Sequence, residues 1–128
     1  MTDTLLIDTD VLIDFSRGIE KAKSKIKTFE VDHTLSVSVV TQLELMVGCE
    51  NKADFKALQK FLNNFDIILI NHAVSERSVQ LFEKYRLSHG VQIADMLIAA
   101  TAIEYDLALL TKNQKDFRFI KDLKLLKY

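Results

Sequence analysis

Four carboxylates stand where the patterning ends a strand or begins a helix: Asp8 in LLIDTDVLIDF, Glu44 in LSVSVVTQLELMVG, Asp95 in VQIADMLIAATAI and Asp116 in TKNQKDF. An ionised carboxylate is costly to bury without a partner, so an acid at the edge of an apolar run marks either a solvated end or a site. The separations are 36, 51 and 21 residues, which no local repeat would produce. If the fold gathers these acids, they raise one another's pKa unless a cation compensates. The donors are oxygens, with neither paired cysteines nor a close histidine pair, so hard Mg²⁺ or Mn²⁺ is favoured over Zn²⁺. Magnesium keeps several waters and binds substrate phosphate, which suits water attack on a phosphodiester.

Each acid also has a local reading. Asp8 and Asp10 both suit the start of a helix, where an aspartate caps and the helix dipole welcomes negative charge. Capping is the better reading for Asp10, and a site the better one for Asp8, which follows Ile7 as the strand leaves the core. Glu44 closes a capping box, Thr41-Gln42-Leu43-Glu44, and the spacing slightly favours that role. Asp95 shares a face with Ile98, Ala99 and Ala102, where a solvated surface does not fit, so function is the stronger reading. Asp116 taken alone reads as a loop acid paired with Lys112 or Lys115. Asp14 reads as an exposed helix residue with no role.

The elements that must position these acids follow from apolar patterning. Short apolar runs at Leu5 to Ile7, Leu35 to Val39, Ile67 to Ile70, Leu107 to Leu110 and Leu123 to Leu126 read as strands. Helical spacing occupies Val11 to Ser16, Ile19 to Phe29, Gln42 to Cys49, Lys52 to Phe65, Val74 to Ser88 and Gln92 to Tyr105. Alternation of this kind predicts an α/β fold, a mostly parallel sheet of about five strands with helices on both faces. Ligands of such folds sit beyond the carboxyl ends of the strands, where Asp8 and Asp116 fall.

Bulk properties narrow the function classes. The 128 residues suit a single domain, 1–128, and zero prolines with three glycines leave little room for a linker. Seventeen basic against eighteen acidic residues give a net charge of -1, so any nucleic-acid site must be local. The single Cys49 excludes an internal disulfide, and MTDTLLID lacks the features of a signal peptide; both point to the cytoplasm. No apolar run is long enough to cross a bilayer, so no membrane role is expected. His33, His72 and His89 are scattered and read as surface or cap residues, and Cys49 as a packing residue. Glycine-rich nucleotide loops and the G-x-S-x-G elbow are absent.

These blocks carry a resemblance. IDTDVLIDFSRG, LSVSVVTQLELMVG, HGVQIADMLIAATAI and LALLTKNQKDF are similar, in that order, to the four acidic blocks of the PIN-domain ribonucleases. The likeness is strongest to the VapC toxins of type II toxin–antitoxin pairs, and it runs almost end to end. It implies a three-layer PIN-like fold in which Asp8, Glu44, Asp95 and Asp116 form the metal site. Thr9 and Asp10 match the pair after the first acid, and Thr111 and Asn113 the polar positions around the last. Family members commonly carry Asn where this chain has Asp10, which adds a negative charge near the metal.

The resemblance further implies RNA cleavage with Mg²⁺ or Mn²⁺, a homodimer, and inhibition by a cognate VapB-like antitoxin whose C-terminal segment covers the groove. Arg17, Lys112, Lys115 and Arg118 are the candidates for phosphate contacts. Rival readings are an aspartyl phosphatase or phosphotransferase built on Asp8-Thr9-Asp10, a receiver-like phosphoacceptor, and a PIN-like module that binds without cleaving. The phosphatase motif is matched imperfectly, and the receiver reading lacks an acid ending its middle strand.

Overall fold

The computed structural model describes residues 3–128; Met1 and Thr2, the start of the MTDTLLID stretch, lie outside the described residues. Strands β1 (Asp3–Ile7), β2 (His33–Ser38), β3 (Asp66–Ile68) and β4 (Ala108–Leu110) form one sheet in the order β3-β2-β1-β4. Every pairing is parallel, so each consecutive pair of strands is joined by helices. Helices α1 (Thr9–Ser16) and α2 (Glu20–Glu30) connect β1 to β2, while α3 (Val39–Val47) and α4 (Lys52–Leu62) connect β2 to β3. Helices α5 (His72–His89) and α6 (Ile93–Glu104) then carry the chain back to β4, on the far side of β1.

The period-two alternation of β1 builds the layers. Leu6 turns to one face with Leu109 and packs among Val74, Leu81, Met96 and Ile98 of α5 and α6. Leu5 and Ile7 turn to the other, with Leu35, Val37 and Leu110, against Val11, Leu12, Ala22 and Ile26 of α1 and α2. Both faces of β1 are therefore buried from Leu5 to Ile7, which explains why that end of the strand is a continuous apolar run.

The α/β expectation holds, with four strands in place of about five. The last apolar run does reach the sheet edge. Leu125 bridges Leu109 in parallel, the Leu109 N–H donates to the Lys124 carbonyl at 2.8 Å, and Leu126 N–H donates back to Leu109 at 2.9 Å. β4 is only three residues long, so there is room for one rung beside it and none for a ladder.

The strand order places the switch point between β1 and β4. Chain connections leave β1 toward β2 on one side and arrive at β4 on the other, so the loops at the carboxyl ends of these two strands part and leave a crevice. Ile7 and Leu110 are register partners, and the Asp8 N–H extends that pairing by donating to the Leu110 carbonyl at 2.9 Å. Asp8 and Thr111 thus emerge side by side.

Candidate active site

Asp8 is the best-held of the acids. It is only 5% exposed, and it is the N-cap of α1. Its Oδ1 accepts from the Thr9 N–H at 2.8 Å, and its Oδ2 from the Thr111 hydroxyl at 2.7 Å. Burial, then the neighbouring charge of Asp10, pushes its pKa up to about 7, against the two hydrogen bonds that lower it; Asp95 adds a smaller upward push.

The cap expected of Asp10 therefore belongs to Asp8, because α1 begins two residues earlier than apolar spacing suggests. Asp10 instead reaches across to the loop after β4. It accepts from the backbone N–H groups of Asn113 at 3.1 Å and Lys112 at 3.2 Å. Its pKa is raised, by burial first, with those two N–H groups and that of Val11 opposing. The Thr111 oxygen also lies 3.4 Å from Asp10, but its one proton serves the shorter bond to Asp8. Asn113 N–H completes the turn by donating to the Thr111 hydroxyl at 3.1 Å.

Glu44 enters from the second turn of α3. That helix starts at Val39, capped by the Ser38 hydroxyl accepting from Val40 N–H at 3.0 Å, so the Thr41-to-Glu44 capping box is not formed. Glu44 accepts a hydrogen bond from the Thr9 hydroxyl at 2.7 Å, and the Thr9 and buried Thr41 hydroxyls meet at 2.9 Å. Asp95 sits in the first turn of α6, a helix whose Met96 and Ile98–Ala102 are buried. The pKa of Asp95 is pushed up to about 6 by burial, then by Asp116, Glu44 and Asp10. Asp116 lies in the 3₁₀ turn Gln114–Asp116 and, with Asp95 and Lys115, lines a cleft of about 230 Å³.

The structure thus sets Asp95 within electrostatic reach of Asp8, Glu44, Asp116 and Asp10, so the four sequence-selected acids meet around it. The basic candidates divide. Lys115 lines the acidic cleft, and Arg17 shares a neighbouring groove with Glu44. Arg118 is exposed. Lys112 holds Asp14 at 3.0 Å, and the Asp14 side chain is only 15% exposed, so Asp14 is not the free surface acid its position suggests.

Two contributors escape sequence reasoning. Gln114 donates to the carbonyls of Thr111 at 2.7 Å and Leu126 at 3.0 Å, tying the Asp8-holding turn to the C-terminal segment. His89 lines the cleft beside Asp95 and Asp116 and stacks on Phe119. Neither occurs in a spacing pattern that would have singled it out.

Among the described residues, no three His, Cys, Asp or Glu side chains are already arranged to enclose an ion. The fit to a hard cation rests on donor chemistry. The donors are all carboxylate oxygens, the charges of Asp116 and Glu44 help push up the pKa of Asp95, and a Mg²⁺ that keeps most of its waters needs only one or two carboxylates directly.

Fold and site together define an α/β protein with an acidic site at the switch point of its sheet. Residues 5–123 match the family model of the PIN domain. Over 121 residues the chain is 33% identical to Ribonuclease VapC10 of Mycobacterium tuberculosis, covering 94% of this chain and 90% of that one. It is 32% identical over 121 residues to Ribonuclease VapC19 of the same organism, covering 92% and 95%. A solved toxin–antitoxin complex from Klebsiella pneumoniae contains a chain similar at a TM-score of 0.81 and 32% identity, with 96% of each chain covered. The chain belongs to the PIN-domain family, among its VapC members.

Proposed function

We propose that this protein is a metal-dependent endoribonuclease, acting as the toxin of a toxin–antitoxin pair. The observation that carries the reading is the gathering of Asp8, Glu44, Asp95 and Asp116 from four separate segments at the switch-point crevice. The 33% identity to a ribonuclease over nearly the whole chain supports it.

Asp8, Glu44, Asp95 and Asp116 would hold Mg²⁺ or Mn²⁺, which when bound supplies charge stabilisation at the phosphoryl oxygens and a more acidic water. The chain's own groups hold the acids in position. Thr9 N–H and Thr111 fix both oxygens of Asp8, the Thr9 hydroxyl fixes Glu44, and the Lys112 and Asn113 amides fix Asp10. Lys115, Arg118 and Arg17 contribute positive charge for RNA phosphates around an otherwise repulsive site. Lys112 contributes less, since its ammonium is committed to Asp14.

The partners follow the same reading. The Klebsiella neighbour comes from a toxin–antitoxin complex, which supports a VapB-like antitoxin here. An apolar groove of about 500 Å³ between α3 and α4, lined by Met46, Phe55 and Leu58, offers a place for an antitoxin segment. Exposed Val79 and Ile93 flank a second apolar depression between α5 and α6, which suits a homodimer. No helix among the described residues is long and apolar enough to cross a membrane, and an RNA substrate places the work in the cytoplasm.

The test is cleavage of single-stranded RNA by wild type, Asp8→Asn and Asp95→Asn in Mg²⁺, Mn²⁺ and EDTA, with folding of each variant checked by circular dichroism. Cleavage that survives EDTA or both substitutions sinks the metal-nuclease reading. Acid-labile phosphate on Asp8 would point to the phosphotransferase instead. Growth arrest on induction, relieved by co-expression of a neighbouring antitoxin, tests the toxin role.

A further inference from the structure

An aromatic cluster stands against the acidic cleft. The His89 and Phe119 rings stack with centroids 4.0 Å apart and planes at 19°. Tyr85, buried in the core, meets both edge-on, at 5.6 Å and 4.9 Å. Ser88 Oγ lies 2.7 Å from His89 Nδ1, which fixes the rotation of the imidazole. The platform is anchored to the core through Tyr85, and His89 is nonetheless exposed.

His89 and Phe119 line the same cleft as Asp95, Asp116, Lys115 and Gln92. At about 230 Å³ the cleft is smaller than the roughly 300–1,000 Å³ that takes drug-sized ligands, and it suits one planar group. Gly90, in the left-handed conformation at φ 64°, ends α5 and sends the chain through Val91 to Gln92. Gln92 occupies the N-cap of α6, yet its side chain makes no cap hydrogen bond, so its carboxamide is free of the role that position normally imposes.

We propose that this cleft is a nucleobase subsite for single-stranded RNA, with the His89–Phe119 pair as stacking wall and Gln92 as reader of the base edge. Splayed bases of single strands are recognised by aromatic stacking combined with hydrogen bonds to their edges. The subsite abuts Asp95 and Asp116, so it would hold a base next to the scissile phosphate, and Lys115 would meet the intervening phosphate. This inference rests on the RNA-cleavage reading above. A purely structural role, pinning the end of α5 to the segment after the 3₁₀ turn, would explain the Tyr85 contacts but not the exposure of His89 beside the acids.

The experiment uses single-stranded RNA carrying 2-aminopurine at successive positions, bound to the full chain bearing Asp8→Asn in Mg²⁺. Fluorescence quenching at one position is expected, lost with His89→Ala and retained with His89→Phe. In the otherwise wild-type chain, His89→Ala should raise KM about ten-fold, more than kcat falls, as expected for one lost base stack. Gln92→Ala should broaden base preference at the quenched position with no change in melting temperature. Quenching that is unchanged by His89→Ala, with cleavage still dependent on Asp8, overturns the subsite alone. A wild-type chain that cleaves no RNA overturns both readings.

Discussion

The two halves of the acidic site are built differently. At the carboxyl ends of β1 and β4, Asp8 and Asp10 are held by four backbone N–H and hydroxyl donors at 2.7–3.2 Å. Across the crevice, Glu44 and Asp116 are exposed, and Glu44 has a threonine hydroxyl as its partner. Asp95 stands between these conditions, half-buried and pushed up to about 6 by burial and by its acidic neighbours. The first half is rigid because strand pairing fixes it. The second half hangs on α3, α6 and a 3₁₀ turn with a single hydroxyl donor among its acids, so a cation would have its ordering effect there.

The largest way to break this comparison is to remove one acid from each half. Asp8→Asn and Asp95→Asn should each lower RNA cleavage about 1,000-fold or more, the scale of losing metal-assisted charge stabilisation. A variant that retains a tenth of wild-type turnover in single-turnover kinetics would show that its half is dispensable.

Next comes stability against pH. Asp8 moves from its ordinary 3.8 to about 7 and Asp95 from 3.8 to about 6 on folding, so between these limits the folded state binds more protons than the unfolded state. Stability without divalent ions should therefore be greatest below about pH 4, as far as these groups decide it. It should fall by a few kcal/mol as pH rises toward 7, and then level off. The Asp95 part is the smaller, because solvent screens a half-buried group more. Mg²⁺ should restore stability at pH 8 and do little at pH 5. Asp8→Asn should flatten the profile and be at least as stable as wild type at pH 8. Urea unfolding across pH checks this, and a profile that rises from pH 5 to 7 would contradict the burial of Asp8.

A smaller effect sharpens the contrast. Thr111→Val removes the hydroxyl that donates to Asp8 and should cost about 1–2 kcal/mol, since the buried carboxylate loses a strong partner. It should also raise the pKa of Asp8 further, visible by carboxyl NMR titration. No added instability would mean that the turn is held by Gln114 and the Asp10 amide bonds alone. The smallest effect is expected of Lys112→Ala, whose exposed ammonium pairs with Asp14: melting temperature should not move measurably, and RNA binding only slightly.

Much of this was legible in the chain. All six helices and the first four strands lie where apolar period and length place them, with no end shifted by more than three residues. Asp95 was recognisable because it is the only ionisable residue within IADMLIAATAI, so any packed helix there must deal with its charge. The local rules misled where two of them competed. Thr41-x-x-Glu44 satisfies a capping pattern, but Ser38 starts the helix earlier and turns Glu44 toward Thr9. His89 is exposed, as a surface reading expects, but its stack on Phe119, thirty residues on, leaves no periodic trace.

The sequence by itself determined the order of elements and which acids would lie at their ends, because 2.0 and 3.6 periodicities and helix signals act over a few neighbouring residues. Only the tertiary structure decided which acids would face one another and who would hold them. Asp8 meets Thr111 because β1 pairs with β4 in parallel at Ile7 and Leu110, a register set by two buried faces over a separation of 103 residues.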